Sequence, residues 1–355
     1  MVVSRAYLPA KKSRYAPVDR LFGRYTELEV GEVPSIEYLD EGITPRLYNV
    51  STTYHTGRYN EYDKQWEPGI TIQFEIEGGS DDSPDKAIIK LFNIQQEKAK
   101  LFGVGSPIVL RSGYFTYYDN IFLGVVSFKK TYRSGQDIIT EFECTDSTEL
   151  FLNKVIARYI PGSPFLSTIV LDICQTFNIP IGFIDARYDD KWEGDYNYSG
   201  AIRDHFDELK GDRYKYYFKS GLLYFVRNDS GIPTGLAIDV LSGLLEVRPA
   251  KNQSQPTPTE EGTEEIEEDD PVKNVTHKLK ALLIPGISTD TVFRVYYETP
   301  WYPNRINTFL KVISFKYMSS VESHIVEADC QEVRGPFTTF DVQTPIGVAY
   351  PLVPS

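Results

Sequence analysis

Phe122-Leu123-Gly124-Val125-Val126-Ser127-Phe128-Lys129 and Phe309-Leu310-Lys311-Val312-Ile313-Ser314-Phe315-Lys316 share six of their eight residues. Both are rich in aromatic and β-branched side chains, which favour a pleated strand. Their surroundings agree in kind. Each octapeptide follows a strand-like run and a Tyr-rich loop (residues 114–118 and 296–302) and precedes a returning apolar run, Ile138-Ile139 or Ile325-Val326. β-Hairpins share alternation by chance, and a long chain offers many windows to match. The alternative is two copies of one β-domain with other material between them. A repeat is worth following first, because missing it misreads the whole architecture.

The runs around the first octapeptide support a β-domain. In residues 70–77, Ile70, Ile72, Phe74 and Ile76 alternate with Thr71, Gln73, Glu75 and Glu77, the pattern of a half-buried strand. A Gly/Ser/Asp/Pro loop ends it at residues 78–84. Further strands are expected at 86–92, 108–110, 121–130 and 136–144, with a short helix at 94–102 stopped by Gly103 and Gly105, and a helix at 147–156 capped by Ser147. The character then changes. Phe165, Ile169, Ile173 and Phe177 recur at helical spacing after Ser163-Pro164, and Ile202, Phe206 and Leu209 mark a second helix. A hairpin follows, with Tyr214, Tyr216 and Phe218 returning through Leu223 and Phe225. β character resumes at 236–247, 275–283, 291–297, 308–317 and 324–332. The expected organisation is a basic, proline-spaced arm (1–48), a first β-domain (49–156), an α+β module (157–235), a second β-domain (236–335) and a C-terminal coil (336–355). The fold class is therefore mainly β with an α+β insertion.

The chain has 355 residues and a net charge of −13. Eight acids crowd into residues 260–270, so the rest of the chain carries only −5. This run belongs to a Gln/Pro/Thr-then-Glu-rich insert, residues 251–273, with too few apolar side chains to build a core, and is expected to be disordered. An acidic chain lacks the basic face that sequence-independent nucleic-acid binding needs. The basic exception is residues 1–24, where Lys11, Lys12, Arg14, Arg20 and Arg24 make the candidate set for contact with an acidic neighbouring subunit; a loosely draped tail is the plainer reading. Three separated cysteines suit a reducing place of synthesis. No signal-peptide core or apolar run of spanning length is read, so neither export nor membrane insertion is expected.

Signatures of catalysis are few. His55, His205, His277 and His324 form no metal-ligand spacing with one another or with the cysteines, and no metal or cofactor is expected. Arg203 to Glu208 is the densest titratable cluster, but the helix there leaves most of its charges on a solvated face. Gly103-Val104-Gly105 precedes a strand, not a helix, the wrong context for phosphate. No Gly-x-Ser-x-Gly elbow is present. Two carboxylates suffice for a glycosidase, and 50 acids leave that open without singling out a pair. The expectation is a structural protein, not an enzyme.

Taken in order, Ala87-Ile88-Ile89-Lys90-Leu91-Phe92-Asn93, Gly105-Ser106-Pro107-Ile108-Val109-Leu110-Arg111-Ser112-Gly113-Tyr114 and Ile121-Phe122-Leu123-Gly124-Val125-Val126 resemble the first domain of phage tail baseplate hub proteins. Ser242-Gly243-Leu244-Leu245-Glu246-Val247 and Lys280-Ala281-Leu282-Leu283-Ile284-Pro285-Gly286-Ile287 resemble two later segments of that family, which flank a variable connection where this chain carries its acidic run. The hairpin around Ser220-Gly221-Leu222-Leu223 also fits. The basic arm and the length of the insert depart from the pattern.

The resemblance implies two tail-tube-like antiparallel β-barrel domains flanking the α+β module. It implies a homotrimeric ring between the six-fold tail tube and a three-fold central spike, lining a channel for genome ejection; a neutral-to-acidic wall there would avoid trapping DNA phosphates. Implied partners are the tube or tube-initiator protein and the spike, with tape measure and wedge proteins as further candidates, in a virion tail baseplate assembled from chains made in the host cytoplasm. The lack of an evident C-terminal enzymatic domain favours a contractile tail. Alternatives are the hub of a tailocin or contractile injection system, a peptidoglycan-cleaving tail component, and a Tyr-rich carbohydrate-binding module.

Overall fold

The computed structural model describes residues 23–31, 50–60, 65–79, 84–100, 102–114, 117–146, 154–186, 189–219, 222–250, 275–299 and 302–333. The first β-unit contains β1 (Arg24–Gly31), β2 (Val50–His55), β3 (Gly57–Asn60), β4 (Gln65–Pro68), β5 (Ile72–Gly79), β6 (Lys86–Phe92), the short helix α1 (Gln96–Lys100), β7 (Pro107–Tyr114), β8 (Tyr117–Ser134) and β9 (Asp137–Thr145). The α+β module follows with β10 (Val155–Ile160), α2 (Leu166–Phe177), β11 (Ile181–Ile184), β12 (Tyr196–Ala201), α3 (Ile202–Lys210), β13 (Tyr214–Lys219) and β14 (Leu222–Arg227). The second β-unit has β15 (Ile232–Ile238), β16 (Leu244–Pro249), β17 (His277–Leu282), β18 (Thr291–Thr299), β19 (Tyr302–Ser319) and β20 (His324–Val333).

Both β-units belong to one sheet. Its main path runs β16-β17-β20-β19-β5-β6-β9-β8-β7-β1-β2, and β18 joins β19 to β15. The duplication appears when this path is cut between β19 and β5. The first unit pairs as β5-β6-β9-β8-β7-β1 and the second as β16-β17-β20-β19-β18-β15, with strands used in the same chain order. Only the last pairing differs in sense: β1 meets β7 antiparallel, whereas β15 meets β18 parallel.

The octapeptides do not give the register of this repeat. β8 bulges between Val126 and Phe128 and β19 between Val312 and Ser314. Val126 lies opposite Cys144 and Val312 opposite Cys330, and all four are buried. Setting Val126 on Val312 also sets Lys130 on Lys316, Glu141 on Glu327 and Lys90 on Lys280, so that the ion pairs Lys90–Glu141 (3.7 Å) and Lys280–Glu327 (2.9 Å) coincide. The octapeptide match is one residue away from this: it places half-buried Leu123 and Val125 on buried Leu310 and Val312. A slip of one residue exchanges the two faces of a strand. The six identities thus reflect shared strand composition, while the repeat itself resides in strand order and pairing.

One apolar cluster serves both β-units, from Leu28, Ile76, Ile89 and Phe142 to Leu279, Phe293, Val312 and Tyr317. The module has its own core, in which Ile169, Ile173, Ile202 and Phe206 meet Leu223 and Phe225. Asp189 caps α2 from outside, accepting the Ser167 N–H at 3.1 Å, and Asn178 ends the helix in a left-handed conformation (φ 53°).

Several boundaries differ from the sequence reading. The first β-domain begins not at residue 49 but with β1, whose buried Leu28 and Val30 alternate with Glu27 and Glu29. The expected helix at 147–156 gives way at its described end to β10. The β run expected at 236–247 divides into two strands, because Asp239 and Ser242 tie the turn between them (Ser242 N–H to Asp239 Oδ1 and Asp239 N–H to Ser242 Oγ, both 2.7 Å) and Gly243 takes φ 104°. The insert 251–273, the coil 336–355 and residues 1–22 and 32–48 of the arm lie outside the described residues.

His324 fastens the two β-units internally. Its Nε2–H donates to the Gly113 carbonyl of β7 at 3.0 Å, and its Nδ1 accepts from the Ser319 hydroxyl at 2.9 Å. Burial pushes its pKa down to about 4. A folded-state value below the unfolded one means that the unfolded chain takes up the proton first. The stability due to neutral His324 is therefore complete above pH 6.5 and is lost as pH falls toward 4, by about 3 kcal/mol in all. Denaturant titrations should show the stability gap between the parent and His324→Gln shrinking by about that amount from pH 7 to pH 4. A pH-independent gap contradicts this role.

Candidate assembly surface

Alternation along the strands buries one face of the sheet and leaves the other polar. On the polar face, Glu246, Lys280, Glu327, Lys316, Glu77 and Lys86 stand directly opposite one another in turn across β16, β17, β20, β19, β5 and β6. The row alternates in sign through six strands. Lys280 pairs with Glu327 at 2.9 Å, Lys316 with Glu77 at 2.6 Å and also with Glu75, and Lys278 with Asp329 at 3.3 Å. The first unit continues the lattice through Lys130–Glu141 (2.7 Å) and Arg111 with Glu27 (2.6 Å) and Glu29 (2.5 Å). The bond from Lys316 holds the Glu77 carboxyl below its usual range, and Glu75 and Glu77 together raise the Lys316 ammonium. Exposed pairs of this kind contribute about 0–1 kcal/mol each. Their effect lies in register: like charges meet wherever a strand slips.

The join between the units is the antiparallel β5–β19 pairing, from Ser314 opposite Gly79 to Ser319 opposite Phe74. On its buried face Ile76 and Tyr317 lie side by side, and Tyr317 donates to the Ile287 carbonyl at 2.7 Å. Gly78 faces Phe315, and a Cβ there would collide with the Phe315 ring and the Asp85 carboxylate.

A buried charge cluster ties the module to this join. Asp290, fully buried before β18, pairs with Lys215 of β13 at 2.8 Å and with Lys311 of β19 at 3.3 Å. Lys311 also donates to the Asn228 carbonyl at 3.0 Å, and desolvation lowers its pKa against the pull of Asp290. Lys219 Nζ lies 4.6 Å from the centre of the Phe315 ring, and desolvation lowers its pKa too. Thr289 completes the contact by donating to the Gly79 carbonyl at 3.2 Å.

Of the basic residues singled out in the sequence, Arg24 opens β1 and spends its guanidinium on its own chain, donating to the carbonyls of Ser320 (3.4 Å), Val321 (3.1 Å) and Glu322 (3.4 Å) in the β19–β20 turn. Lys11, Lys12, Arg14 and Arg20 lie outside the described residues, and an inter-subunit contact through them stands as a proposal. Cys144, Cys174 and Cys330 are buried thiols, raised in pKa by desolvation. His205 is not on the solvated face of its helix: it is buried, with Nδ1 against the Tyr196 hydroxyl. Sequence reading missed Lys316, Asp290 and Lys311. The outer-face charges were visible as alternation within each strand, but no local signal links a lysine of β19 to carboxylates of β5.

No protein-family model matches the chain, and no curated protein matches it by sequence. Solved structures match by fold. The 43 kDa tail protein of prophage MuSo2 from Shewanella oneidensis is 10% identical, with a TM-score of 0.50 over 87% of this chain and 98% of that one. The chain has the fold of a phage tail protein. The tail protein from Neisseria meningitidis MC58 aligns over 88% of this chain and 97% of its own at 8% identity, TM-score 0.49. A type VI secretion component from E. coli, the c3393 protein, aligns over 75% of this chain and 74% of its own at 11% identity, TM-score 0.44. The fold likeness to the MuSo2 tail protein is in keeping with the resemblance read from the sequence.

Breaking a buried ion pair from one side leaves an uncompensated charge and costs about 3–5 kcal/mol. Asp290→Asn, which strands the buried Lys311 ammonium, should therefore lower unfolding stability by about 3 kcal/mol, and adding Lys311→Met should recover much of the loss. Strictly additive losses in denaturant titration would mean that the two residues act independently.

Proposed function

We propose that this chain is a structural hub protein of a phage tail baseplate. Three copies form a ring that adapts the six-fold tail tube to a three-fold central spike and lines the channel through which DNA leaves. The observation that carries this reading is the duplicated strand path fused through β5 and β19. A ring of three such chains presents six similar β-units to a tube and three copies of everything else to a spike. One chain with a single β-unit could serve only one of those symmetries. Closed ring symmetry then fixes the copy number.

The role is mechanical. The tube or tube-initiator protein is assigned to the side offering six units and the spike protein to the three-fold side, with tape measure and wedge proteins as neighbours. The polar face of the sheet, with its charges paired in alternation, suits a channel wall: it offers no unbalanced basic surface on which phosphates would lodge.

Electron-microscope images of the purified protein should show a three-fold ring with six lobes, and sedimentation should give three chains per particle. Particles that remain monomeric, or that have two-fold symmetry, would refute the adaptor role.

A further inference from the structure

We propose that the α+β module is reversibly attached: it lifts off the fused sheet as an intact body, turning at Gly231, and Asp290 is the latch that holds it down. This motion belongs to the single chain and does not rest on the hub role.

The module and the sheet each close a core of their own. Among the described residues, no strand of the module pairs with the sheet. Ile169, Ile173, Phe206 and Phe225 belong to one apolar cluster; Leu28, Phe142, Val312 and Tyr317 belong to another that shares no member with it. The bonds between the two bodies are polar. Lys215 of β13 reaches Asp290 at 2.8 Å, Lys311 donates to the Asn228 carbonyl at 3.0 Å, and the Tyr217 hydroxyl donates to the Thr289 carbonyl at 3.4 Å. Lys219 adds a cation over the Phe315 ring, where the carboxylates of Asp85 and Asp146 in the first unit attract it.

A contact of this composition is specific without being strong. The attraction between buried ions does little more than offset the cost of drying them. Burial lowers the pKa of both Lys311 and Lys219, although carboxylates pull the other way. When the module lifts off, Lys215, Lys219, Lys311 and Asp290 return to water and regain their hydration. The two apolar clusters stay closed, so little of the hydrophobic term opposes the motion. Polar contacts between bodies of one chain are the kind that permit relative movement.

The chain provides a pivot where it leaves the module. Ser230 belongs to the module: its N–H donates to the Arg227 carbonyl at 3.2 Å and its hydroxyl to Asp185. Ile232 belongs to the sheet, donating its N–H to the Asp290 carbonyl at 2.7 Å. Gly231 stands between them, and a Cβ there would collide with the Val292 side chain. Glycine passes this narrow point and turns there with the least hindrance. Asp290 serves both pivot and latch: its carbonyl fixes Ile232, and its carboxylate holds Lys215 and Lys311. Its backbone is left-handed at φ 60°, a conformation that asparagine shares, so Asp290→Asn removes the charge and keeps the turn.

Distances between spin labels on the full chain test this, since its own three thiols are buried. Val155 on the module, Val104 on the first β-unit and Val321 on the second are exposed, and Val155→Cys, Val104→Cys and Val321→Cys carry the labels. Asp290→Asn leaves Lys215 and Lys311 without their carboxylate only while the module is docked, so it should raise the lifted-off fraction about a hundredfold. The 155–321 pair should then gain a second distance while the 104–321 pair keeps one, and adding Lys311→Met should reverse much of the gain. A 155–321 distribution unmoved by Asp290→Asn overturns the proposal. Broadening of both pairs overturns it too, because the sheet itself would then be opening. Should Asp290→Asn fail to fold, Lys215→Met reads the same motion from the module side, with Lys311 still neutralising Asp290; an unchanged 155–321 distance in that variant overturns the latch.

Discussion

The main-chain pairing of β5 with β19 turns two β-units into one sheet. Without it, each unit would end in an unpaired strand and bury its apolar face separately. With it, a single core runs beneath eleven strands in sequence, and the module is held over the join by Asp290, Lys215 and Lys311. Main-chain pairing and apolar burial supply the strength, and the alternating charges across the polar face select the register.

That division of labour suits the hub role proposed above, in which units must stay in line under load: a continuous backbone ladder resists sliding better than side-chain contact between separate domains. Lys311 is paired with the buried Asp290, and Lys219 of the module lies over the Phe315 ring of β19 beside the join. Misplacing any of the three bodies would leave a charge without a partner in a dry environment, which makes the arrangement cooperative.

Much of the fold was legible in the sequence because the informative pattern was local. The period-two alternation of Ile72, Phe74 and Ile76, the helical spacing of Ile169 and Ile173, and the hairpin at Tyr214 to Phe225 all correspond to elements of the structure. The repeat was legible as a suspicion but in the wrong register, because strand composition recurs more readily than position. β1 was hidden by a basic, proline-spaced segment upstream that drew its residues into the arm. The join itself was invisible: it pairs strands more than 200 residues apart, and the match of Lys316 to Glu75 and Glu77 follows only from knowing which edges meet.

Hydrogen exchange at the join gives the most direct test of this account. If β5 and β19 fuse the units, amides bonded across their pairing should exchange only through global unfolding, with the same free energy as those between β6 and β9. Exchange at the join through a lower-energy opening, with each unit still protected, would mean that the chain carries two separable domains in contact and would contradict the single-sheet account.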